Sequence, residues 1–169
     1  MPIARRTALL SGVNLLAGGG VIALLSGLGR AGAATQAAAE HFEVTMTDDQ
    51  WKAKLSPPAY AVLRHEGTET PFTSPLNSEH RKGTFTCAGC ALALFASDTK
   101  FDSGTGWPSF FRPLPNAVNQ RVDSTLGMTR DEVHCRRCGG HLGHVFDDGP
   151  KPTGLRYCMN GVAMAFTAA

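Results

Sequence analysis

Two CxxC pairs, Cys87-Ala-Gly-Cys90 and Cys135-Arg-Arg-Cys138, constrain this 169-residue chain more than any other feature. A CxxC knuckle lets two thiolates converge on one ion while nearby backbone amides point at the sulfurs. Two knuckles together make a closed tetrahedral sulfur site, the usual pattern of structural zinc. Forty-four residues separate Cys90 from Cys135, so the ion would staple distant parts of one domain rather than nucleate a small finger. Four thiolates would leave the metal no open position for catalysis. The same residues also allow two disulfides in an oxidising compartment, a redox-active CxxC, or iron in place of zinc.

The first 33 residues read as an address. Arg5 and Arg6 precede 23 uncharged residues, Thr7 to Gly29, and Arg30 precedes Ala31-Gly32-Ala33, an A-x-A cleavage pattern. The adjacent arginines and the glycine-diluted apolar run resemble a twin-arginine signal, which implies export machinery that carries folded proteins and a periplasmic location. The alternative is an uncleaved membrane anchor, since 23 uncharged residues can span a bilayer. Removing Arg5, Arg6 and Arg30 leaves 13 basic against 14 acidic side chains, a net charge of −1. That balance gives no support to nucleic acid as a partner.

The remainder divides into a linker, 34–46, and one domain, 47–169. Hydrophobic residues at 43% make a packed core feasible. Thr47 and Gln50 form a T-x-x-Q capping box for a first helix, with Trp51 and Leu55 on one face. Pro57-Pro58 ends that helix and opens a second holding Tyr60, Val62 and Leu63. From Gly67 the texture changes to short β-rich runs between Gly, Pro, Asp and Asn: Thr84 to Thr86, Ala91 to Phe95, Gln120 to Ser124, Val145-Phe146 and Val162 to Phe166. This predicts a mainly β fold of antiparallel strands behind short N-terminal helices.

Cys158 stands outside the pairs, in Gly154-Leu-Arg-Tyr-Cys-Met-Asn-Gly161. On a strand, Arg156 and Asn160 would share its face, the first favouring a thiolate and the second offering hydrogen bonds. His141 and His144 offer two imidazoles suited to proton transfer. Trp107, in Gly104-Thr-Gly-Trp-Pro-Ser-Phe-Phe111, forms either a core corner or the wall of an apolar pocket.

In order along the chain, these segments resemble the B-type methionine sulfoxide reductases, which act on the R epimer of methionine sulfoxide. The matching stretches are Gly67-Thr-Glu69 with Pro71-Phe72, the first knuckle, Lys100 to Phe110, the second knuckle, His141-Leu-Gly-His-Val-Phe-Asp-Asp-Gly-Pro150, and Pro152 to Asn160. The resemblance implies two small antiparallel sheets and one structural zinc on Cys87, Cys90, Cys135 and Cys138. It implies Cys158 as nucleophile, His141, His144 and Asn160 around the sulfoxide oxygen and the thiolate, and Arg156 holding the thiolate. Trp107, with Phe110, would form the substrate wall, and Asp147 matches the motif as well. Thr105 departs from the family, since many members carry a recycling cysteine there. An outside thiol, of thioredoxin type, would then reduce the Cys158 sulfenic acid directly. Two other readings compete: a zinc-stapled binding module without catalysis, and a reductase fold that arrests after one turnover.

Overall fold

The computed structural model describes residues 40–169, so the expected export signal, its cleavage point and the start of the linker lie outside the described residues. The later part of that linker is docked. Glu43 pairs with Arg136 at 2.5 Å, Val44 N–H donates to Arg137 C=O at 3.0 Å, and Phe42 packs edge-on against His134. Residues 40–46 are thereby held against the second knuckle and the strand before it.

Helix α1 (Asp48–Lys54) starts at the expected capping box, with Thr47 and Gln50 each bonding the other's backbone N–H. Helix α2 (Pro57–His65) starts at Ser56, whose hydroxyl accepts from Ala59 N–H, and ends on Glu66 in the left-handed region. Trp51, Leu55, Ala59, Val62 and Leu63 turn inward from the pair.

The strands form two antiparallel sheets. The smaller is β2-β1-β9, from β1 (Gly83–Cys87), β2 (Ala93–Ala96) and β9 (Met164–Ala168). The larger runs β3-β4-β8-β7-β6-β5, from β3 (Lys100–Phe101), β4 (Ser109–Phe110), β5 (Val118–Asp123), β6 (Arg130–Cys135), β7 (His141–Phe146) and β8 (Arg156–Met159). The expected Val162–Phe166 run is split, because Gly161–Ala163 makes a 3-10 turn before β9 begins.

Period-2 alternation gives the larger sheet two unlike faces. Phe110, Val133, Val145, Tyr157 and Met159 enter the core, where Phe110 stacks on Phe95 at 4.3 Å between centroids and meets Phe85 edge-on at 4.9 Å. The opposite face carries Ser109, Arg121, Asp123, Arg130, Glu132, His144, Arg156 and Cys158, aligned by the register of adjacent strands.

Candidate active site

The two knuckles end strands of different sheets, Cys87 closing β1 and Cys135 closing β6. Their four sulfurs lie within 4.8 Å of one another, with Cys87–Cys138 at 3.7 Å and Cys90–Cys135 at 3.5 Å. A tetrahedron built on Zn–S bonds of about 2.3 Å has edges of about 3.8 Å. The close pairs run between knuckles and draw all four sulfurs to one centre, which suits an ion. They lie well beyond a disulfide bond of about 2.05 Å. Backbone N–H groups of Leu92 and Cys138 bond the sulfurs of Cys90 and Cys135, as a knuckle requires. The four-cysteine cluster therefore fits a metal ion that would tie the two sheets together.

Cys158 lies mid-sheet in β8, opposite Ser109 of β4 on one side and His144 of β7 on the other. It is half-buried and lines a cavity of about 160 Å³ with Trp107, His144, Phe146, Asn160, Thr68, Arg130 and Gly143. That volume is below the roughly 300 Å³ of a drug-sized site and suits a single side chain. Trp107 is fixed by its Nε1–H, which donates to Glu69 C=O at 3.1 Å. The same Glu69 donates its N–H to Asn160 Oδ1 at 2.9 Å, and its carboxylate accepts from Gly161 and Val162 N–H. Asn160 Nδ2 spends one hydrogen on Leu142 C=O at 3.1 Å, which leaves the other for the pocket.

Thr105 Oγ1 is 3.7 Å from Cys158 Sγ. It belongs to a chain of hydroxyls in which Thr105 meets Ser103 at 2.8 Å, Ser103 meets Ser109 at 2.7 Å, and Ser109 donates to Trp107 C=O at 3.1 Å. Thr105 thus abuts the nucleophile candidate with a hydroxyl oxygen.

Arg156 shares the Cys158 face and makes two 2.8 Å hydrogen bonds to Asp148 while lying over the Phe146 ring. Those bonds raise its pKa, burial opposes the rise, and charge on Cys158 adds to it. Asp148, not Asp147, is the aspartate bonded to Arg156. The sequence places two aspartates side by side, and only the folded backbone just past β7 selects between them.

His141 and His144 are three apart, which strict alternation would place on opposite faces. A register shift between Val133 and His134 of β6 absorbs one residue and pairs His134 with His141. The two rings then stand on one side, 5.4 Å between centroids. Gly143 makes the crossing possible, since a Cβ there would sit 2.1 Å from Cys158 C=O.

The rings are held by opposite nitrogens. His144 Nε2 meets Asp123 Oδ2 at 2.8 Å, and His141 Nδ1 meets Glu132 Oε1 at 2.7 Å. Burial pushes His144 below its ordinary 6.5 despite that bond. Hydrogen bonds from Thr125 and then His144 hold the Asp123 carboxyl well below the usual range. Burial opposes ionisation of Glu132, but His134, His141 and Arg121 overcome it and hold the carboxyl low.

Cys158, His144, Asn160 and Trp107 thus meet at one cavity, with Arg156 beside it. His141 does not line it. It stands behind His144 in an adjoining depression of about 520 Å³ that shares Thr68, Arg130 and His144 with the pocket. Phe110 does not line it either. It is fully buried against Phe95 and Phe85, because it faces the opposite side of β4 from Ser109. The phenylalanine that lines the cavity is Phe146. Asp123, Arg130 and Glu132 carry no signal in the sequence because each acts across a strand pairing, and Glu69, which the sequence offers only within a matching stretch, reaches Asn160 from 91 residues away.

The SelR domain family matches residues 55–168. The chain is similar to the peptide methionine sulfoxide reductase MsrB of Leptospira interrogans, with 51% identity over 127 residues, 75% of this chain and 97% of that protein. It is similar to the MsrB of Agrobacterium fabrum, with 55% identity over 125 residues, 73% of this chain and 93% of that protein. The MsrB of Methanosarcina mazei is 51% identical over 126 residues, 74% of this chain and 90% of that protein.

Proposed function

The chain belongs to the SelR-domain family of methionine-R-sulfoxide reductases, and from that membership we propose that it uses Cys158 as nucleophile and an external thiol for recycling. The observation that carries this reading is the pocket itself: a half-buried thiol facing His144 and Asn160 on one wall and Trp107 and Phe146 on another.

A sulfoxide sulfur is electrophilic, but its oxygen leaves poorly, so attack by sulfur must be coupled to protonation of that oxygen. The Cys158 thiol and the sulfoxide give Cys158–S–OH and methionine: the oxygen passes to Sγ, and the thiol hydrogen ends on that oxygen. His144 and the uncommitted Nδ2 hydrogen of Asn160 offer polar contacts to the oxygen, while the aromatic wall takes the methyl group. With both walls fixed, a chiral sulfur presents its lone pair to one side only, which is the basis for choosing the R epimer. Two thiols of a thioredoxin-like donor then reduce the sulfenic acid, releasing water and a donor disulfide. Thr105 supports this route, because its oxygen cannot form the internal disulfide that a cysteine would.

Cys87, Cys90, Cys135 and Cys138 would hold one zinc ion, whose role is to stabilise the junction of the sheets. The Arg5-Arg6 pair, the apolar run and the Ala31-Gly32-Ala33 pattern support export to the periplasm through folded-protein machinery. Free and protein-bound sulfoxide both remain within the reading.

The deciding experiment is turnover of separated R- and S-methionine sulfoxide with dithiothreitol, comparing the chain with Cys158→Ser. Multiple turnover of the R epimer alone, lost in the variant, is the expected result. A folded, metal-loaded chain that consumes neither epimer would leave only a binding module, and a single stoichiometric burst would point to a dedicated reductant.

A further inference from the structure

Of the histidines on this face, His144 lines the cavity that holds Cys158, and one carboxylate touches its ring. That carboxylate belongs to Asp123, 21 residues away at the end of β5. It is itself locked in place. Its Oδ1 accepts from Thr125 N–H at 2.8 Å, and its Oδ2 accepts from Arg130 Nη2 at 2.7 Å as well as from His144.

We propose that Asp123 is a positioning residue for sulfoxide reduction: it fixes His144 through Nε2 and leaves Nδ1 as the nitrogen that exchanges a proton with the sulfoxide oxygen. The proposal rests on the reductase reading of the pocket. An ionised carboxylate only accepts, so Nε2 must carry the hydrogen of that bond. A neutral imidazole has one N–H, which makes Nδ1 the bare nitrogen. Any proton that reaches the ring therefore arrives at Nδ1, and the imidazolium so formed has the Asp123 charge against its other side.

His144 directly opposes Cys158 across β7 and β8, so the ring and the sulfur rise from the same face. The step balances without another reagent. The Cys158 thiol proton passes to Nδ1, Sγ attacks the sulfoxide sulfur, and the oxygen moves to Sγ as Nδ1 returns the proton to it. Methionine leaves, and Cys158–S–OH remains. His141 is held the other way round, by Glu132 through Nδ1, and its buried Nε2 makes no hydrogen bond among the described residues. Because His141 does not line the pocket, its carboxylate partner cannot substitute for Asp123.

The groups facing His144 are Asp123 from β5, Arg130 and Glu132 from β6, His141 from β7, and Cys158 and Arg156 from β8. Asp123→Asn keeps the shape and the Thr125 contact but turns an acceptor into a donor toward Nε2. In single-turnover reduction of R-methionine sulfoxide by the full chain, the maximal rate constant should fall at least about tenfold while the half-saturating sulfoxide concentration stays within about threefold, since positioned proton transfer is worth about 10²–10⁴-fold. In a His144→Asn background the same substitution should cost nothing further, whereas a purely structural role would multiply the two losses. The unsubstituted chain supplies an independent readout: nitrogen-detected NMR should find His144 as the Nε2–H tautomer. A Nδ1–H tautomer, an unchanged single-turnover rate constant in Asp123→Asn, or multiplicative losses would each overturn the proposal. Failure of the unsubstituted chain to reduce the sulfoxide would instead overturn the reductase reading beneath it.

Discussion

The Thr105 hydroxyl lies 3.7 Å from Cys158 Sγ, so Thr105→Cys would set a second sulfur beside the nucleophile. After one turnover without reductant, dimedone should label Cys158 in the unsubstituted chain. In Thr105→Cys, labelling should drop and a peptide map should show a disulfide between positions 105 and 158. An internal disulfide in the unsubstituted chain would contradict recycling by an outside thiol. At this scale the sequence marks Cys158, because spacing pairs the other four cysteines, and Thr105, because it departs from a motif. It does not choose Asp148 over Asp147 as the partner of Arg156, because adjacent residues differ only in which side of the chain they face.

At the scale of elements, the β6–β7 bulge gathers the histidines and the β4 alternation divides Ser109 from Phe110. Gly143→Ala would drive a Cβ to within 2.1 Å of Cys158 C=O and prise β7 from β8. Thermal unfolding should register a loss on the order of 3 kcal/mol or more, with activity lost in whatever still folds. Phe110→Ala should behave differently. It leaves a cavity against Phe95 and Phe85, costing about 3–5 kcal/mol, while the KM for R-sulfoxide in the folded fraction stays close to that of the unsubstituted chain. A large KM change with little loss of stability would return Phe110 to the pocket. In the sequence, Trp107 and Phe110 stood in one aromatic cluster, and nothing in that cluster says which ring turns inward.

For the whole molecule, the sulfur cluster and the buried carboxylates govern stability. If the four sulfurs hold an ion, stripping it with a chelator should lower the melting temperature sharply and loosen both sheets, because that ion would join β1 to β6. Acid should act through Glu132 and His144. Unfolded Glu132 takes its proton near the ordinary 4.5, but the folded chain accepts a proton there only at lower pH. Its contribution is therefore complete above about 4.5 and drains away as pH falls through the folded value. His144, held below 6.5 by burial, adds a loss in the same direction as pH drops from 6.5 toward its folded value. Denaturant titrations between pH 3 and 6 should show the steeper acid slope flatten in Glu132→Gln.

What the sequence by itself determined was local or compositional. The capping box named the start of α1, the double proline named α2, turn-bounded β-rich runs named the strands, and two knuckles named a sulfur site. Each signal lies within a few residues, where backbone sterics and side-chain chemistry act directly. What only the tertiary structure decided depends on register: His141 and His144 on one side, His141 behind rather than in the pocket, Phe110 in the core, and Asp123 and Glu132 each bound to a histidine. A shift of one residue in strand pairing moves a side chain to the other face of a sheet. That shift is set by packing between strands far apart in the chain, which no window of the sequence contains.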